Sequence, residues 1–347
     1  MKISIMITAV ILAVYSSVAV AQQNLTGETA TPGGVPYLAM SHLGEIAARN
    51  KIANIQILPG QTLTNTLQNV AEGKADIASA VFTLPFLMSK GIGPYAALGE
   101  EKGAELASQC AVLYSYVLGG MTLYAYDSVG LKGWKDLKNR TVLNGPPRGA
   151  ALTNARNLIQ FVTGYKDKTD YAGLQANWGQ MPSVITDGSV DAVVLPMLFP
   201  DARITPALAS GDITIWSVPK DVFETEAFQR FTRAPGAAPF LRDRSVAEYS
   251  EGVTLVSEDD TLRAVATVGG DVVNVSMDFE TAKALTAAFI SSLDELRARA
   301  PIAANVGFGN TDEVGTSMCG HNPLKYHPGA VAAWEEAGYT IPDCAKP

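Results

Sequence analysis

The stretch that most constrains the fold of this chain is residues 140–159, RTVLNGPPRGAALTNARNLI. Thr141–Leu143 is apolar and β-branched, and the Gly-Pro-Pro run after it ends the strand, because proline fixes φ and has no N–H. From Ala150 onward apolar residues recur at helical spacing. A tight loop carrying Arg148 and Gly149 therefore opens onto the first turn of a predicted helix.

This loop has features of an anion site. The first N–H groups of a helix have no partner within the helix and form the positive end of its dipole, which attracts anions. The guanidinium of Arg148 would add a planar pair of donors suited to a carboxylate or phosphate. An ordinary turn whose arginine points to solvent is the alternative, and this stretch by itself supports both.

Two more loops of this kind precede predicted helices, at residues 31–37 and 59–65. Strands and helices alternate along the chain, which predicts a mostly parallel α/β architecture. Ligands of open parallel sheets bind at the carboxyl ends of the strands. We therefore expect these two loops and the loop at 145–151 to converge on one small molecule.

The remaining pattern gives specific expectations for the elements. We predict strands at residues 55–58, 77–82, 111–116, 121–126, 192–195, 213–218, 261–268 and 272–276. We predict helices at residues 38–50, 61–70, 180–186, 199–210 and 280–300. Residues 230–252 are predicted to be a loop region, and Asp278 a helix N-cap.

Composition excludes some classes of protein. The 347 residues suffice for two α/β domains or for two lobes of one unit. The net charge of -8 is spread over the chain with no basic stripe, so we predict no nucleic-acid partner. No run of about 18 apolar residues follows the N-terminal segment, so we predict a protein that is not embedded in a membrane.

The N-terminal segment has the pattern of a secretory signal peptide. Lys2 precedes an apolar run over residues 3–14, and small residues end in Ala19-Val20-Ala21. A single membrane anchor is the alternative, which the serines and small residues after the run disfavour. We predict that residues 1–21 are a signal peptide, cleaved after Ala21, and that the protein is periplasmic.

Export makes a disulfide possible among the three cysteines. Cys319 and Cys344 flank a loop and a helix in the C-terminal tail and are the favoured pair. Cys110 adjoins an apolar run and is predicted to be a buried free thiol. The sequence alone proves neither assignment.

Five short motifs occur in a set order along the chain. They lie at residues 33–37, 61–65 with 72–78, 136–142, 187–192 and 327–330. In order and spacing these motifs resemble those of the TAXI-type solute receptors of TRAP transporters. The chain departs from the family at Pro147-Arg148-Gly149, where Gly-Ser-Gly is usual, and at Val35-Pro36, where Thr-Tyr is usual.

The resemblance implies the two-lobed, type II periplasmic binding protein fold, with a ligand cleft between lobes. Lobe 1 would comprise residues 22–126 and 219–347, and lobe 2 residues 127–218. Such a receptor closes on a solute and delivers it to the integral membrane subunits of a TRAP transporter. Family ligands tend to be carboxylates, so we expect a small anionic organic solute, either a carboxylate or an amino acid.

The candidate ligand-binding residues come from these loops. They are Gly34, Tyr37, Gln61, Thr62, Asn65, Thr83, Arg148, Gly149 and Ala150. Tyr37 could equally pack the first helix, and the threonines and asparagine are also ordinary cap and turn residues. Two aspartates that precede predicted strands, Asp76 and Asp191, are assigned to turns and caps.

Other functions have weaker support. Cys319, His321 and His327 could suggest a zinc site, but a fourth ligand is not evident. Neither a G-x-S-x-G elbow, a P-loop nor an H-E-x-x-H motif is present, so we predict no catalytic residues, no metal and no cofactor. An exported hydrolase, or a sensor that presents its ligand to a receptor kinase, is the alternative function.

Overall fold

The structure is a computed structural model that describes residues 23–201 and 203–347. The predicted signal peptide, residues 1–21, lies outside the described residues. Within the two described ranges, no helix has the length and apolar character needed to cross a bilayer.

The described residues form one twelve-stranded mixed sheet. Its strands are β1 (Gln23–Glu28), β2 (Ala53–Leu58), β3 (Ile77–Val81), β4 (Cys110–Tyr126), β5 (Thr141–Leu143), β6 (Ala172–Leu174), β7 (Ala192–Met197), β8 (Ile213–Trp216), β9 (Ala237–Asp243), β10 (Val253–Val256), β11 (Thr261–Asn274) and β12 (Lys325–Tyr326). The main order is β2-β1-β3-β11-β4-β7-β5-β6. In addition, β9 pairs with β11, β8 and β12 pair with β4, and β10 pairs with β8.

Helices cover the sheet, which confirms the α/β prediction. The expectation of a mostly parallel sheet was wrong, because β11 pairs antiparallel with β3, β4 and β9, and β4 pairs antiparallel with β7 and β8. They are α1 (Val35–Arg49), α2 (Leu63–Ala71), α3 (Thr83–Ser89), α4 (Gly99–Ser108), α5 (Ala150–Thr163), α6 (Met181–Thr186), α7 (Ile204–Ala207), α8 (Lys220–Phe223), α9 (Glu226–Phe231), α10 (Arg244–Ala247), α11 (Phe279–Ser291), α12 (Leu293–Arg299) and α13 (Pro328–Glu336). All five residues of β3 are buried, as expected of a strand with both faces covered.

The sheet contains the same three-stranded parallel unit twice. In the first unit β1 lies between β2 and β3, and in the second β5 lies between β6 and β7. In each unit an aspartate just before the last strand, β3 or β7, hydrogen-bonds the central strand, β1 or β5. The carboxylate of Asp76 accepts from the N–H of Thr26 (2.7 Å), and that of Asp191 accepts from the N–H of Thr141 (2.8 Å). Both aspartates are therefore structural, but they join two segments of a unit and are not turn or cap residues as the sequence predicted.

Two long antiparallel strands, β4 and β11, join the units. The prediction of two separate strands in each of these segments was wrong. Gly269-Gly270 was expected to interrupt β11, but the pair serves close packing, because a Cβ atom at Gly270 would collide with the carbonyl oxygen of Tyr114. In β4, Gly119 has a φ of +127° and sits beside a shift in register that keeps the strand continuous.

Three other segments differ from the sequence prediction. The expected loop at 230–252 contains β9 and α10, because β9 extends the sheet along the free side of β11. In the described part of the expected helix at 199–210 there are only α7 and a short 3₁₀ turn. The long helix at 280–300 is divided at Ser292, whose hydroxyl bonds the carbonyl of Ala288 (2.9 Å) and the ring of His42 on α1 (2.8 Å).

The cysteines are arranged as the sequence favoured. Cys319 and Cys344 form a disulfide with a Cα–Cα distance of 5.4 Å. Cys110 is a buried free thiol, and burial raises its pKa to about 12. This thiol is therefore neutral at physiological pH and packs as a small apolar side chain.

Candidate functional site

The carboxyl ends of the two parallel units lie at the same level of β4. Val81, the last residue of β3, pairs with Gly269, which in turn pairs with Tyr116 of β4. Met197, the last residue of β7, pairs with Gly120 of β4. Since β3 runs in the direction of β4 and β7 runs against it, the loops that follow the two units face each other across this point.

Backbone hydrogen bonds hold the first two candidate loops together. The N–H of Gly60 donates to Ala30 O (3.1 Å), and the N–H of Gln61 donates to Thr29 O (2.9 Å). The loop before α1 therefore lies beside the loop before α2. Gly34 and Thr62 are the N-cap residues of these helices, and neither supplies a side-chain cap.

The third candidate loop lies on the opposing unit. Gly149 is the N-cap of α5 with a φ of +104°, a conformation that glycine adopts without strain, and it supplies no side-chain cap. Three helices elsewhere do have one, from Thr225, Asp278 and His327, which confirms Asp278 as an N-cap. The predicted anion-binding helices thus begin without a side-chain acceptor for their N–H groups.

Most of the candidate side chains on these loops are accessible. Gln61, Thr62, Asn65 and Arg148 are exposed, whereas Gly34, Tyr37 and Gly149 are half-buried and Ala150 is buried. Within the described residues the guanidinium of Arg148 has no hydrogen-bond or ion-pair partner. Thr83 differs from the others, because its hydroxyl donates to Pro235 O (3.0 Å). Contact of any of them with a ligand stays a prediction.

A buried polar network that the sequence analysis did not single out lies beneath the first two loops. The carboxylate of Asp271 on β11 accepts from the hydroxyls of Tyr114 (2.6 Å), Tyr116 (2.9 Å) and Ser79 (2.8 Å). The hydroxyl of Ser79 lies 2.9 Å from that of Thr29. Because Ser79 donates its hydrogen to Asp271, Thr29 must be the donor to Ser79.

This network connects a candidate loop to the two long strands. Thr29 bonds Gln61 through its carbonyl and Ser79 through its side chain, and Asp271 joins β11 to β4. Burial raises the pKa of Asp271 to about 6, against the lowering effect of the three hydroxyl donors. A clue in the sequence was an aspartate inside an apolar strand, since a buried carboxylate needs partners.

Two further residues that sequence reasoning missed lie on the opposing edge. Trp178 follows β6 and Arg203 follows β7, and the guanidinium carbon of Arg203 is 6.0 Å from the centroid of the indole. Arg203 is held by the carboxylate of Asp201, with Nε to Oδ1 at 2.8 Å. The indole of Trp178 is 41% exposed. No periodicity or motif marked either residue.

An open hollow of about 510 Å³ lies at the start of β11, away from the candidate loops. Its lining residues are charged or polar: Asp243, Arg244, Ser245, Glu248, Asp259, Asp260 and Thr261. Arg244 already pairs with both Glu248 (2.7 Å) and Asp260 (2.7 Å). These internal ion pairs make the hollow a salt-bridged surface region.

Two residues of the alternative zinc site, Cys319 and His327, have other partners. Cys319 is in the disulfide. The Nδ1 of His327 accepts from the N–H of Gly329 (3.2 Å), and its Nε2 bonds Met277 O (3.0 Å). His327 thus caps α13, and its two nitrogens are engaged in holding that helix to the end of β11.

Comparison with known proteins identifies the family. The model of the NMT1-like family matches residues 28–338, which is most of the chain. The chain belongs to the NMT1-like family. The mixed sheet covered by helices agrees with the α/β fold class that the sequence motifs implied. No curated protein sequence matches it significantly.

Several solved structures resemble this member of the NMT1-like family at low identity. A TRAP periplasmic solute-binding protein from Rhodobacter sphaeroides is 13% identical over 91% of this chain and 90% of that one, with a TM-score of 0.47. DctP7 of Bordetella pertussis, a receptor that binds pyroglutamic acid, is 9% identical over 91% and 93%, with 0.46. The aliphatic sulphonate-binding protein SsuA of Escherichia coli is 12% identical over 82% and 78%, with 0.42.

Proposed function

We propose that the protein is a periplasmic receptor that captures a small anionic organic solute, a carboxylate or an amino acid, by hinge closure. The observation that carries this proposal is the placement of both carboxyl edges at residues 116–120 of β4. A solute at this level could touch loops of both units at once. The periplasmic binding protein fold supports a binding role.

The anion would be held by backbone and side-chain donors together. The uncapped first turns of α1, α2 and α5 supply N–H groups at the positive ends of helix dipoles. Arg148, exposed and without a protein partner in the described residues, supplies the guanidinium. We assign the ligand contacts to these groups and to Tyr37, Gln61, Thr62 and Asn65.

Closure follows from the division into lobes. We assign residues 22–126 and 219–347 to lobe 1 and residues 127–218 to lobe 2, except that the second half of β4 pairs with β7 and β8 and would move with lobe 2. The pairing of β10 with β8 crosses this boundary, so the segment around β10 would move with lobe 2. A solute that contacts both lobes only in the closed form shifts the equilibrium toward that form.

We further propose that the receptor is of the TAXI type and delivers its solute to TRAP integral membrane subunits. The order of the five sequence motifs supports this assignment. Reconstitution of the receptor with those subunits in proteoliposomes tests it. Receptor-dependent uptake of the bound solute is expected, and uptake by the subunits that is independent of the receptor would contradict it.

The binding function is tested by a thermal-shift screen of the mature protein against organic acids, amino acids, sulphonates and sugars. An acid present at 100 times its Kd should add about 2.7 kcal/mol to the free energy of unfolding. Arg148→Ala should weaken its binding by roughly 1.5–3 kcal/mol, the range of a charged hydrogen bond. If the ligand is recovered chemically altered, the result favours the alternative function, an exported hydrolase.

Arg49→Ala is the matched control for Arg148→Ala. Arg49 lies in the last turn of α1, at the end of the helix away from the candidate loops, in an exposed pair with Glu295 (2.7 Å). Loss of such a surface pair costs about 0–1 kcal/mol of stability and should leave binding unchanged. If Arg148→Ala binds the acid as tightly as the wild type, Arg148 is not part of the binding site.

A further inference from the structure

Trp178 differs from the other tryptophans in its exposure. Trp134, Trp216 and Trp334 are 4%, 4% and 0% exposed, whereas Trp178 is 41% exposed. A large, largely apolar ring that is left in contact with water is a common feature of binding surfaces, because burying it on a partner is favourable. The position of Trp178 in the fold indicates what kind of molecule could bury this ring.

The loop that carries Trp178 is hydrogen-bonded to the loop that carries Arg148. The N–H of Ala176 donates to Gly145 O (3.1 Å), and the side chain of Gln175 donates to that of Asn144 (2.7 Å). Asn144 and Gly145 directly follow β5 and directly precede the turn to Arg148. Trp178 therefore lies at the same carboxyl edge as the proposed anion-binding helix α5.

The guanidinium of Arg203 lies near the ring and is itself fixed. Its carbon is 6.0 Å from the ring centroid, within the range of a cation–π contact. Asp201 holds this guanidinium from β7's carboxyl end and balances its charge. Arg203 is therefore an orienting contact for the indole, and Arg148 is an accessible cation at this edge.

We propose that Trp178 packs on the body of the solute, and that the receptor selects a carboxylate with a planar aromatic ring over a small aliphatic acid. This proposal rests on the proposed receptor function. The helix N-termini and Arg148 take the carboxylate, and the exposed indole takes the ring. Ring stacking would favour the aromatic acid by roughly tenfold in Kd, the scale of an aromatic pair.

The test uses benzoate and phenylacetate against propionate and succinate. Calorimetry gives the Kd of each acid for the wild-type protein and for Trp178→Ala and Trp178→Phe. Acrylamide quenching of tryptophan fluorescence gives a second readout. Because the other three tryptophans are buried, quenching reports mainly on Trp178, and a stacked ring should protect it.

Phe161→Ala is the matched control. Phe161 is 42% exposed and lies near the end of α5 opposite the Arg148 loop. The Phe161→Ala protein should bind every acid with the affinity of the wild type. Since Trp178 is exposed, its variants should keep the wild-type circular dichroism spectrum and melting cooperativity.

The expected result is a preference of about tenfold for the aromatic acids that Trp178→Ala abolishes and Trp178→Phe largely retains, with the ring acids protecting Trp178 from acrylamide. Acids that bind with equal affinity to the wild type and Trp178→Ala, and leave quenching unchanged, would overturn this proposal and leave the receptor function standing. If no acid of either class binds, the aromatic-acid proposal fails, and the receptor function fails as well only if the thermal-shift screen also finds no solute.

Discussion

At the scale of single residues, the buried Asp271 accepts three hydrogen bonds in the interior of the sheet. Three hydroxyl donors surround its carboxylate, and no cation is among the groups that shift its pKa. The carboxylate is fully buried, and desolvation outweighs the donors, so the folded protein holds its proton more tightly than the unfolded chain does.

This residue should make the stability of the protein pH-dependent. The pKa of Asp271 is raised from 3.8 to about 6 on folding. Asp271 therefore adds its full contribution to the free energy of unfolding below pH 4 and loses it as the pH rises to about 6. The change is roughly 3 kcal/mol, at 1.36 kcal/mol per pKa unit. Asp271→Asn removes this term, so its stability relative to wild type should increase between pH 4 and 7.

Urea unfolding of both proteins from pH 4 to pH 7.5 measures this difference. Tyr116→Phe provides the control, because it keeps the carboxyl group and removes one donor to it. Because the hydroxyl donors lower the pKa of Asp271, removing one of them should raise that pKa. The free energy of unfolding of Tyr116→Phe should therefore continue to fall up to a higher pH than that of the wild type. A difference between Asp271→Asn and wild type that is constant with pH would show that Asp271 does not titrate in this window.

At the scale of the elements, the C-terminal tail is held both by packing and by a covalent link. The short strand β12 pairs with β4 over two residues, and α13 packs on α11. The disulfide between Cys319 and Cys344 encloses these elements, with a sequence separation of 25. A loop of that length constrains the unfolded chain by about 3 kcal/mol in the chain-entropy view.

Replacement of both cysteines by serine should therefore lower the free energy of unfolding by roughly 2–4 kcal/mol. Chemical denaturation of the oxidised wild type and the double variant measures this. Thiol titration of the denatured, unreduced wild type should find a single thiol, that of Cys110. Finding three thiols would show that the bond does not form in the oxidised protein. Cys110→Ser tests the assignment, because it should leave no titratable thiol.

At the scale of the whole molecule, the two long strands determine which motion is available. β4 and β11 pair with each other, and β4 continues from the first parallel unit into the second. A rotation of one unit against the other must therefore bend these strands near Gly119 and Gly120. The register shift of β11 between Thr267 and Val268 lies at the same level.

We therefore expect the solute to reduce the radius of gyration, since closure brings the opposed loops together. Small-angle X-ray scattering with and without a bound acid measures this change. Arg148→Ala should not contract at the acid concentration that contracts the wild type, and should do so only at higher concentration. A bound complex with the radius of the free protein would rule out hinge closure as the mechanism.

Local signals in the sequence predicted those elements that local chemistry determines. The strand at Thr141–Leu143, the helix from Ala150 and the cap at Asp278 are all present. The elements that were predicted wrongly depend on distant partners. Ser292 divides a helix because it reaches His42, which is 250 positions away, and β9 forms because β11 offers it an edge.

The sequence by itself determined the α/β class, the strand–loop–helix junctions and the positions of the three candidate loops, because alternation, helix spacing and glycine are read within a few residues. Only the tertiary structure decided that β4 and β11 are each one strand, that a three-stranded unit occurs twice, and that both carboxyl edges meet on β4. It alone placed Asp271 beneath one edge and exposed Trp178 on the other. The physical reason is that sheet register, close packing at glycine and the burial of polar groups depend on residues far apart in the chain, and no local pattern records them.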